Sequence, residues 1–447
     1  MKMNWSKLLS SRRLGYDKVE PSQPKRSHFQ QDFDRIVFSA PFRRLQDKTQ
    51  VFPLSETDFV RTRLTHSMEA SSIGRSLGTG AGAFICAQEK LDIHPGDVGA
   101  IVAAATLAHD IGNPPFGHAG EEAVQYWFEN SEIAAECRRN MSEDEIRDIA
   151  RYEGNAQGFR ILAKLQNPSV HGGMQLTCAT LGAFAKYPTL ASAKIRPEGV
   201  AGKKFNYFQL DKDLFREVAL EVGLIEIDTY SFVRHPLAFL VEAADDIAYR
   251  VVDFEDGLIA NRIRYSELEE LFGAVIADKN IIDGAKIFSG EVKKAEYLRS
   301  KAIGRLVDQA TAAFIRHHDE LLNGTLQKSL IDYTEAAEPL NEIFKRSAEV
   351  IYTAPRVAEI VAAGFELFSG MLDIFVEACN DIAENGANAS PHSTRLIRLI
   401  PDMTSYLNNE LWRTRPYVRI ITVLDYLSGM SDSYAVSLYK KLKGISL

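Results

Sequence analysis

Cysteine is scarce and scattered, with four residues (Cys86, Cys137, Cys178 and Cys379) in 447 and no CxxC pairing among them. That spacing excludes a disulfide framework and a thiolate zinc site, and it fits a reducing cytoplasm. Long apolar runs are also missing. The uncharged run GAIVAAATLA is too short to cross a bilayer, and the stretch Phe365–Val376 is broken by Glu366 and Asp373. The opening residues MKMNWSKLLSSRRLGYD carry charge where a signal peptide needs an apolar segment, so no membrane association is expected. Positive charge is not in excess either. With a net charge of −8 the whole molecule repels polyanions, so a phosphate ligand must meet local cations or a metal.

Sustained β-alternation is scarce, and what fills the chain instead is helical periodicity, so the expected fold class is all-α. Pro236 to about Ile259 follows the 3.6-residue period through Leu237, Leu240, Val241, Ala244, Ile247, Ala248 and Val251. A second, almost wholly apolar helix runs from Pro95 to His109-Asp110 and ends at Gly112-Asn113-Pro114-Pro115. A third spans about Arg63 to Gln88, where glycines at 74, 78, 80 and 82 weaken the helix but permit close packing. Ser142 and Glu145 form a capping-box pattern predicted to open a helix reaching about Leu165, stopped by Asn167-Pro168. Leu190–Leu210, with its prolines, glycines and Lys203-Lys204, reads as a surface loop. Further helices are expected over Pro355–Ala363, Leu367–Glu384 and Thr422–Lys443. The length allows two or three domains or one large helical body. The division expected is a catalytic core over residues 1–260 and a helical region over 261–447 packed on it as one continuous body.

The chemistry concentrates in the order His66, His109-Asp110, Asp245-Asp246. Two imidazoles and two carboxylates can hold one or two divalent cations with positions left for water and substrate, which is the donor set of metal-assisted hydrolysis. His109-Asp110 ends a buried helix, where the unsatisfied carbonyls favour a cation. Asp245 borders the apolar stripe of its helix, whereas Asp246 faces Glu242 and Arg250, so Asp245 is the expected ligand and Asp246 the expected salt-bridge former. His118 precedes Glu121 by three residues. If a helix starts near Gly117, that spacing lets the carboxylate orient the imidazole and raise its pKa, a general-acid arrangement. Arg63 lies one turn before His66 and can reach an anion at the metal, while Arg43, Arg44, Lys48 and Arg61 read more simply as solvated charge. Tyr249 sits one turn beyond Asp245.

Several longer segments carry a resemblance: RIVFSAPFRRLQDKTQVFP, RTRLTHSMEASSIGRSLG, LAHDIGNPPFGHAGEEA, RYEGNAQGFRIL, LTCATLGAFAKYP, RHPLAFLVEAADDIAY and LDYLSGMSDSYAVSLY. Together they resemble the deoxyguanosine triphosphate triphosphohydrolases of the HD-domain superfamily over nearly the whole chain. The resemblance implies a helical HD-domain core with additional C-terminal helices and hydrolysis of a deoxynucleoside triphosphate to deoxynucleoside and tripolyphosphate. It implies His66, His109, Asp110 and Asp245 as metal ligands and His118, supported by Glu121, at the scissile bond. It further implies Arg63, Lys186 and Tyr187 on the triphosphate, Gln50 and Tyr249 against the sugar, and Asn155 near the site. Mn²⁺ or Mg²⁺ is the expected ion, with Fe, Co, Ni or Zn also compatible with the donors. Relatives assemble as homo-oligomers, often hexamers, so assembly is expected here. Two other readings are a different HD phosphohydrolase or phosphodiesterase, and a nucleotide or single-stranded-DNA-binding regulator. The regulator reading would use Arg395, Arg398, Arg413, Arg415 and Arg419, which otherwise read as solvated charge.

Overall fold

Side-chain caps set where many of the helices begin. The computed structural model describes residues 2–18, 26–50, 61–91, 93–352 and 355–445, and among these the only sheet is a two-stranded antiparallel pair, β1 (Glu226–Asp228) and β2 (Ser231–Phe232). Helix α1 (His28–Val37) opens on a Ser27/Gln30 capping box, and α2 (Arg63–Glu89) on the reciprocal pair Thr62/Thr65. Helix α3 (Pro95–Ala108) has proline at its first position and is buried along nearly all of its length from Val98 onward. Then come α4 (His118–Asn130), α5 (Glu143–Ala150), α6 (Gly154–Arg160) and α7 (Cys178–Phe184). The second half of the chain supplies α8 (Pro236–Ile259), α9 (Glu291–Arg316), α10 (Ala337–Ser347), α11 (Pro355–Asn385), α12 (Pro416–Ser428) and α13 (Asp432–Leu442).

Helices α2 and α3 pack most extensively on one another, and the glycines of α2 are the reason. A Cβ at Gly78 would lie 2.9 Å from both the Cα of Gly99 and the side chain of Val102, so only a hydrogen there lets the two backbones meet. This close pairing sets His66 of α2 beside the C-terminal end of α3.

Two hydrophobic cores organise the rest. One joins α2, α3, α7, α8 and α9 through Leu77, Ile101, Leu181, Leu240 and Leu298. The other joins α4, α11 and α12 through Val124, Phe375 and Leu424. The turn between α3 and α4 passes from one to the other, with Ile111 in the first core and Phe116 in the second.

Several expectations are corrected by these packing demands. The helix predicted from Ser142 to Leu165 stops at Ala150 and restarts at Gly154, continuing as one turn of π-helix over Ile161–Leu165. The break inserts the buried Tyr152 into the second core and frees the Gly154 N–H to bond Glu121. Leu190–Leu210 is not wholly superficial, since Phe205, Asn206, Tyr207 and Phe208 are buried. Aromatic residues at three of four positions were the signal for that. The two segments predicted between Pro355 and Glu384 form the single helix α11, and the one predicted over Thr422–Lys443 is split into α12 and α13 by Gly429-Met430-Ser431. Arg419 is not solvated; it is buried and bonds Asn380 and two backbone carbonyls, while Arg415 pairs with Glu145. Lys48 is also buried.

Replacing Gly78 with Val should overpack the α2–α3 contact and destabilise the chain by about 1–3 kcal/mol. At Gly304, where a Cβ meets nothing within 4 Å, alanine should instead stabilise by about 1 kcal/mol through helix propensity. Denaturant melts of the two variants read both signs; equal effects would refute the close-packing explanation.

Candidate active site

His66, in the second turn of α2, and His109-Asp110, just past the end of α3, bring one ligand atom each to within 4.8 Å of one another. Asp245, midway along α8, completes the group, its Oδ1 lying 3.3 Å from Nε2 of both His66 and His109. His109 Nδ1 lies 2.7 Å from the carbonyl of Thr106, to which it donates, and this leaves Nε2 facing the carboxylates. Two imidazole nitrogens and two carboxylates converging in this way fit a divalent cation. Asp246 turns away and lies 3.7 Å from Arg250, as its helical spacing predicts, with burial pushing its carboxyl up to about 7.

Both oxygens of Asp110 are held. Oδ1 accepts from the Asn113 amide at 2.5 Å and Oδ2 from the Arg63 guanidinium at 2.5 Å. Burial alone would raise this carboxyl, but Arg63 and the two histidines outweigh it and hold Asp110 well below the usual carboxylate range. Asp245 is likewise driven low against its burial by His109 and by Lys186, whose Nζ donates to Oδ2 at 2.6 Å. His109 shifts the other way: burial works against its charged form, yet Asp110 and Asp245 leave its pKa raised.

Arg63 links this cluster to the start of α4. A Cβ at Gly117 would lie 2.6 Å from the guanidinium, so the bare glycine, at φ +59°, leaves the room that Arg63 occupies. The next residue is His118, which opens α4 with its side chain 78% exposed, while Glu121 is 7% exposed. His118 Nδ1 and Glu121 Oε2 are 2.7 Å apart, and Glu121 Oε1 accepts the Gly154 N–H at 2.6 Å. The hydrogen bond to Glu121 is the main reason the His118 pKa is raised. Burial pushes Glu121 up, but His118, Lys204 and the Gly154 bond bring it below its ordinary value. The result is an imidazole held by a buried carboxylate through Nδ1, with its Nε2 left to face a ligand.

Tyr187 follows Lys186 and is set by three contacts: its N–H donates to Asn206 Oδ1 at 3.0 Å, Arg234 covers its ring at 5.6 Å, and Arg234 also bonds the Lys186 carbonyl at 2.6 Å. Asn206 reaches the carbonyl of Asn155 at 3.2 Å, which ties Asn155 to the same wall. Gln50 lies two residues beyond Lys48, its Oε1 buried and without a hydrogen-bond partner among the described residues; Val51-Phe52-Pro53 lie outside them. Tyr249 is half-buried, its ring 6.3 Å from Phe344 of α10.

Sequence reasoning missed four participants. Lys204, assigned to a surface loop, bonds Glu153 at 2.9 Å and adds positive charge beside Glu121 and His118. Burial, together with the charge of Glu121, pushes Glu153 up to about 7. Asn206 is silent in a helix-period reading because its partner Asn155 is 51 residues away, and Asn113, only three residues from Asp110, lies in a turn that such a reading does not cover. Lys48 was grouped with solvated charges, yet its ammonium is buried and driven down to about 7 by desolvation, against the pull of Asp432.

The fold and site define a helical HD-domain protein: the HD domain family matches residues 63–167, the span that carries His66, His109, Asp110, His118 and Glu121. A deoxyguanosinetriphosphate triphosphohydrolase-like protein of Synechocystis is 41% identical, the alignment covering 100% of each chain. One of the same name from Listeria innocua is 37% identical over 99% of this chain and 100% of its own. A deoxyguanosinetriphosphate triphosphohydrolase of Yersinia pestis is 31% identical over 93% of each. The chain therefore belongs to the deoxyguanosinetriphosphate triphosphohydrolase family of HD-domain proteins.

A metal held at His109 would have to displace the proton that Asp110 and Asp245 stabilise there, so Mn²⁺ affinity should fall as pH drops through that raised imidazole pKa. Calorimetric titration with Mn²⁺ across the imidazole range checks this. His109→Gln should weaken binding and flatten the pH dependence; a pH dependence unchanged in that variant would count against His109 as a ligand.

Proposed function

We propose that this chain is a metal-dependent hydrolase of deoxynucleoside triphosphates, dGTP foremost, releasing deoxynucleoside and inorganic tripolyphosphate. The observation that carries the reading is the pairing of His118 with buried Glu121 at the start of α4, joined through Arg63 to a carboxylate and imidazole cluster suited to a cation. Full-length similarity to named triphosphohydrolases supports the substrate class.

His66, His109, Asp110 and Asp245 would hold the ion, for which Mn²⁺ or Mg²⁺ is the choice the donors and the substrate suggest. When bound, it supplies Lewis acidity toward water and the α-phosphoryl group. The remaining steps belong to the side chains. Arg63, Lys186 and Lys204 offer positive charge to the triphosphate, and Tyr187 and Asn155 stand on the wall beside them. The bond broken joins the 5′-oxygen to the α-phosphorus; water oxygen ends on the tripolyphosphate, and His118 delivers the proton that the departing 5′-oxygen needs. Glu121 keeps that proton in place, and Gly154 keeps Glu121 in place. Gln50 and Tyr249 are assigned to the sugar, where a tight wall would reject a 2′-hydroxyl. Among the described residues no helix is long and apolar enough to cross a membrane. A nucleotide substrate puts the reaction in the cytoplasm, and the assembly proposed is a homo-oligomer. Of the five arginines considered for single-stranded DNA or an effector nucleotide, Arg395, Arg398 and Arg413 are exposed and have no paired acid among the described residues.

Ion-exchange analysis of the products from each dNTP and NTP with Mn²⁺ decides the reaction. Tripolyphosphate with a deoxynucleoside is expected; phosphate or pyrophosphate would move the chain to another phosphohydrolase activity. His118→Ala should lower kcat by roughly 10²–10⁴ while leaving Mn²⁺ affinity intact. Loss of metal binding in that variant would undo the role assigned. Glu121→Gln has a signed outcome: the raised His118 pKa keeps the imidazolium populated to higher pH, so removing the carboxylate should move the alkaline limb of kcat to lower pH. Tyr249→Ala should admit ribonucleotides, and unchanged discrimination would refute the wall.

A further inference from the structure

We propose that Lys48 and Asp432 are positioning residues for the turn between α3 and α4, Lys48 bracing its Asp110 end and Asp432 its His118 end. The inference rests on the roles given above to His118 and to the His66, His109 and Asp110 cluster. Lys48 Nζ donates to the Asn113 carbonyl at 2.5 Å and to the Ser428 carbonyl at 2.7 Å. Asn113 passes that restraint on, because its own side chain holds Asp110 Oδ1. The backbone of Lys48 serves the same corner, its carbonyl accepting the Arg63 N–H at 3.3 Å.

Asp432 works on the other side of the turn. Its Oδ1 accepts the Phe116 N–H at 3.0 Å, and its Oδ2 accepts both the N–H and the hydroxyl of Thr49, at 3.0 and 2.5 Å. Phe116 has φ +64° and Gly117 φ +59°, so two consecutive left-handed residues immediately precede His118. A phenylalanine resists that conformation, and it persists where the surroundings hold it. The bond from Phe116 to Asp432 and the burial of its ring in the second core supply the hold.

Ser428 ends α12 and Asp432 begins α13, so the Gly429-Met430-Ser431 break bends both groups back toward the active-site turn. Three distant stretches (45–49, 110–117 and 428–432) are thereby bonded through a buried ammonium and a buried carboxylate. Charges taken out of water and spent on the peptide groups of one turn fix its geometry in a way an apolar side chain cannot.

The test uses the full chain with Lys48→Met, Lys48→Gln, Asp432→Ala and Asp432→Asn. Ser433→Ala is the control, since among the described residues the Ser433 hydroxyl makes an exposed bond to Asp47 from the same helix start. Mn²⁺ affinity by calorimetry, steady-state tripolyphosphate release and thermal melts are read together. Lys48→Met should weaken Mn²⁺ binding by about 10- to 100-fold, and Asp432→Ala should lower kcat by about 10- to 100-fold with KM and Mn²⁺ affinity within about threefold of wild type. Asp432→Asn, which keeps one carbonyl oxygen, should recover part of that kcat, and Ser433→Ala should match wild type. Folded variants with lowered melting temperature but wild-type Mn²⁺ affinity and kcat would overturn the proposal. Should Lys48→Met or Asp432→Ala not fold, Lys48→Gln and Asp432→Asn decide by the same readings. A wild-type protein that binds Mn²⁺ but releases no tripolyphosphate would overturn the functional reading and with it the role of Asp432, whereas the role of Lys48 is decided separately by Mn²⁺ binding, which is measured without turnover.

Discussion

Asp110 and Asp245 sit close together against two imidazoles in a setting where negative charge is costly, and much of the surrounding structure serves to balance them. The groups that balance them arrive from separate places. Arg63 begins α2, Lys186 follows α7, and the two histidines lie on α2 and at the end of α3. Each element must be placed to within a hydrogen-bond length for the carboxylates to remain ionised. A divalent ion fits this site because the charge it would meet is already assembled.

Close packing of two helices makes that assembly possible. Helix α2 carries glycine where α3 approaches, and α3 is apolar on nearly every side, so the pair can sit at the centre of the first core. His66 and His109 thereby become neighbours, with ring centroids 5.4 Å apart, although 43 residues separate them in the chain. The remaining chemistry hangs on the turn that leaves α3. It carries Asp110 and Asn113 in its first half and aims His118 from its second.

That turn also joins the two cores. Helices α11 and α12 do not carry His66, His109, Asp110 or Asp245, yet the end of α12 is tied to the turn through Lys48, which bonds both Ser428 and Asn113, and the start of α13 bonds the turn directly through Asp432. A helical C-terminal region can thus matter to the site without lending it a ligand. Its contacts end on peptide groups of the turn that carries Asp110 and Asn113 and leads to His118.

The sequence was informative where a signal is local. Helical period and proline at first positions placed α3 and α8 closely, the Ser142/Glu145 capping box placed the start of α5, and helix geometry alone separated Asp245 from Asp246 because the two point to different faces. The three-residue step from His118 to Glu121 likewise determined their pairing. Tertiary structure decided whatever depends on partners far along the chain. The break at Arg151-Tyr152-Glu153 exists because Glu121 takes the Gly154 N–H and the second core takes Tyr152, neither of which a helical pattern records. Lys48 and Arg419 looked like solvated charge because nothing near them in sequence is acidic and buried, and Lys204 looked like surface for the same reason. Charge type is written in the residue, but its burial is set by what packs against it, and only the folded chain supplies that.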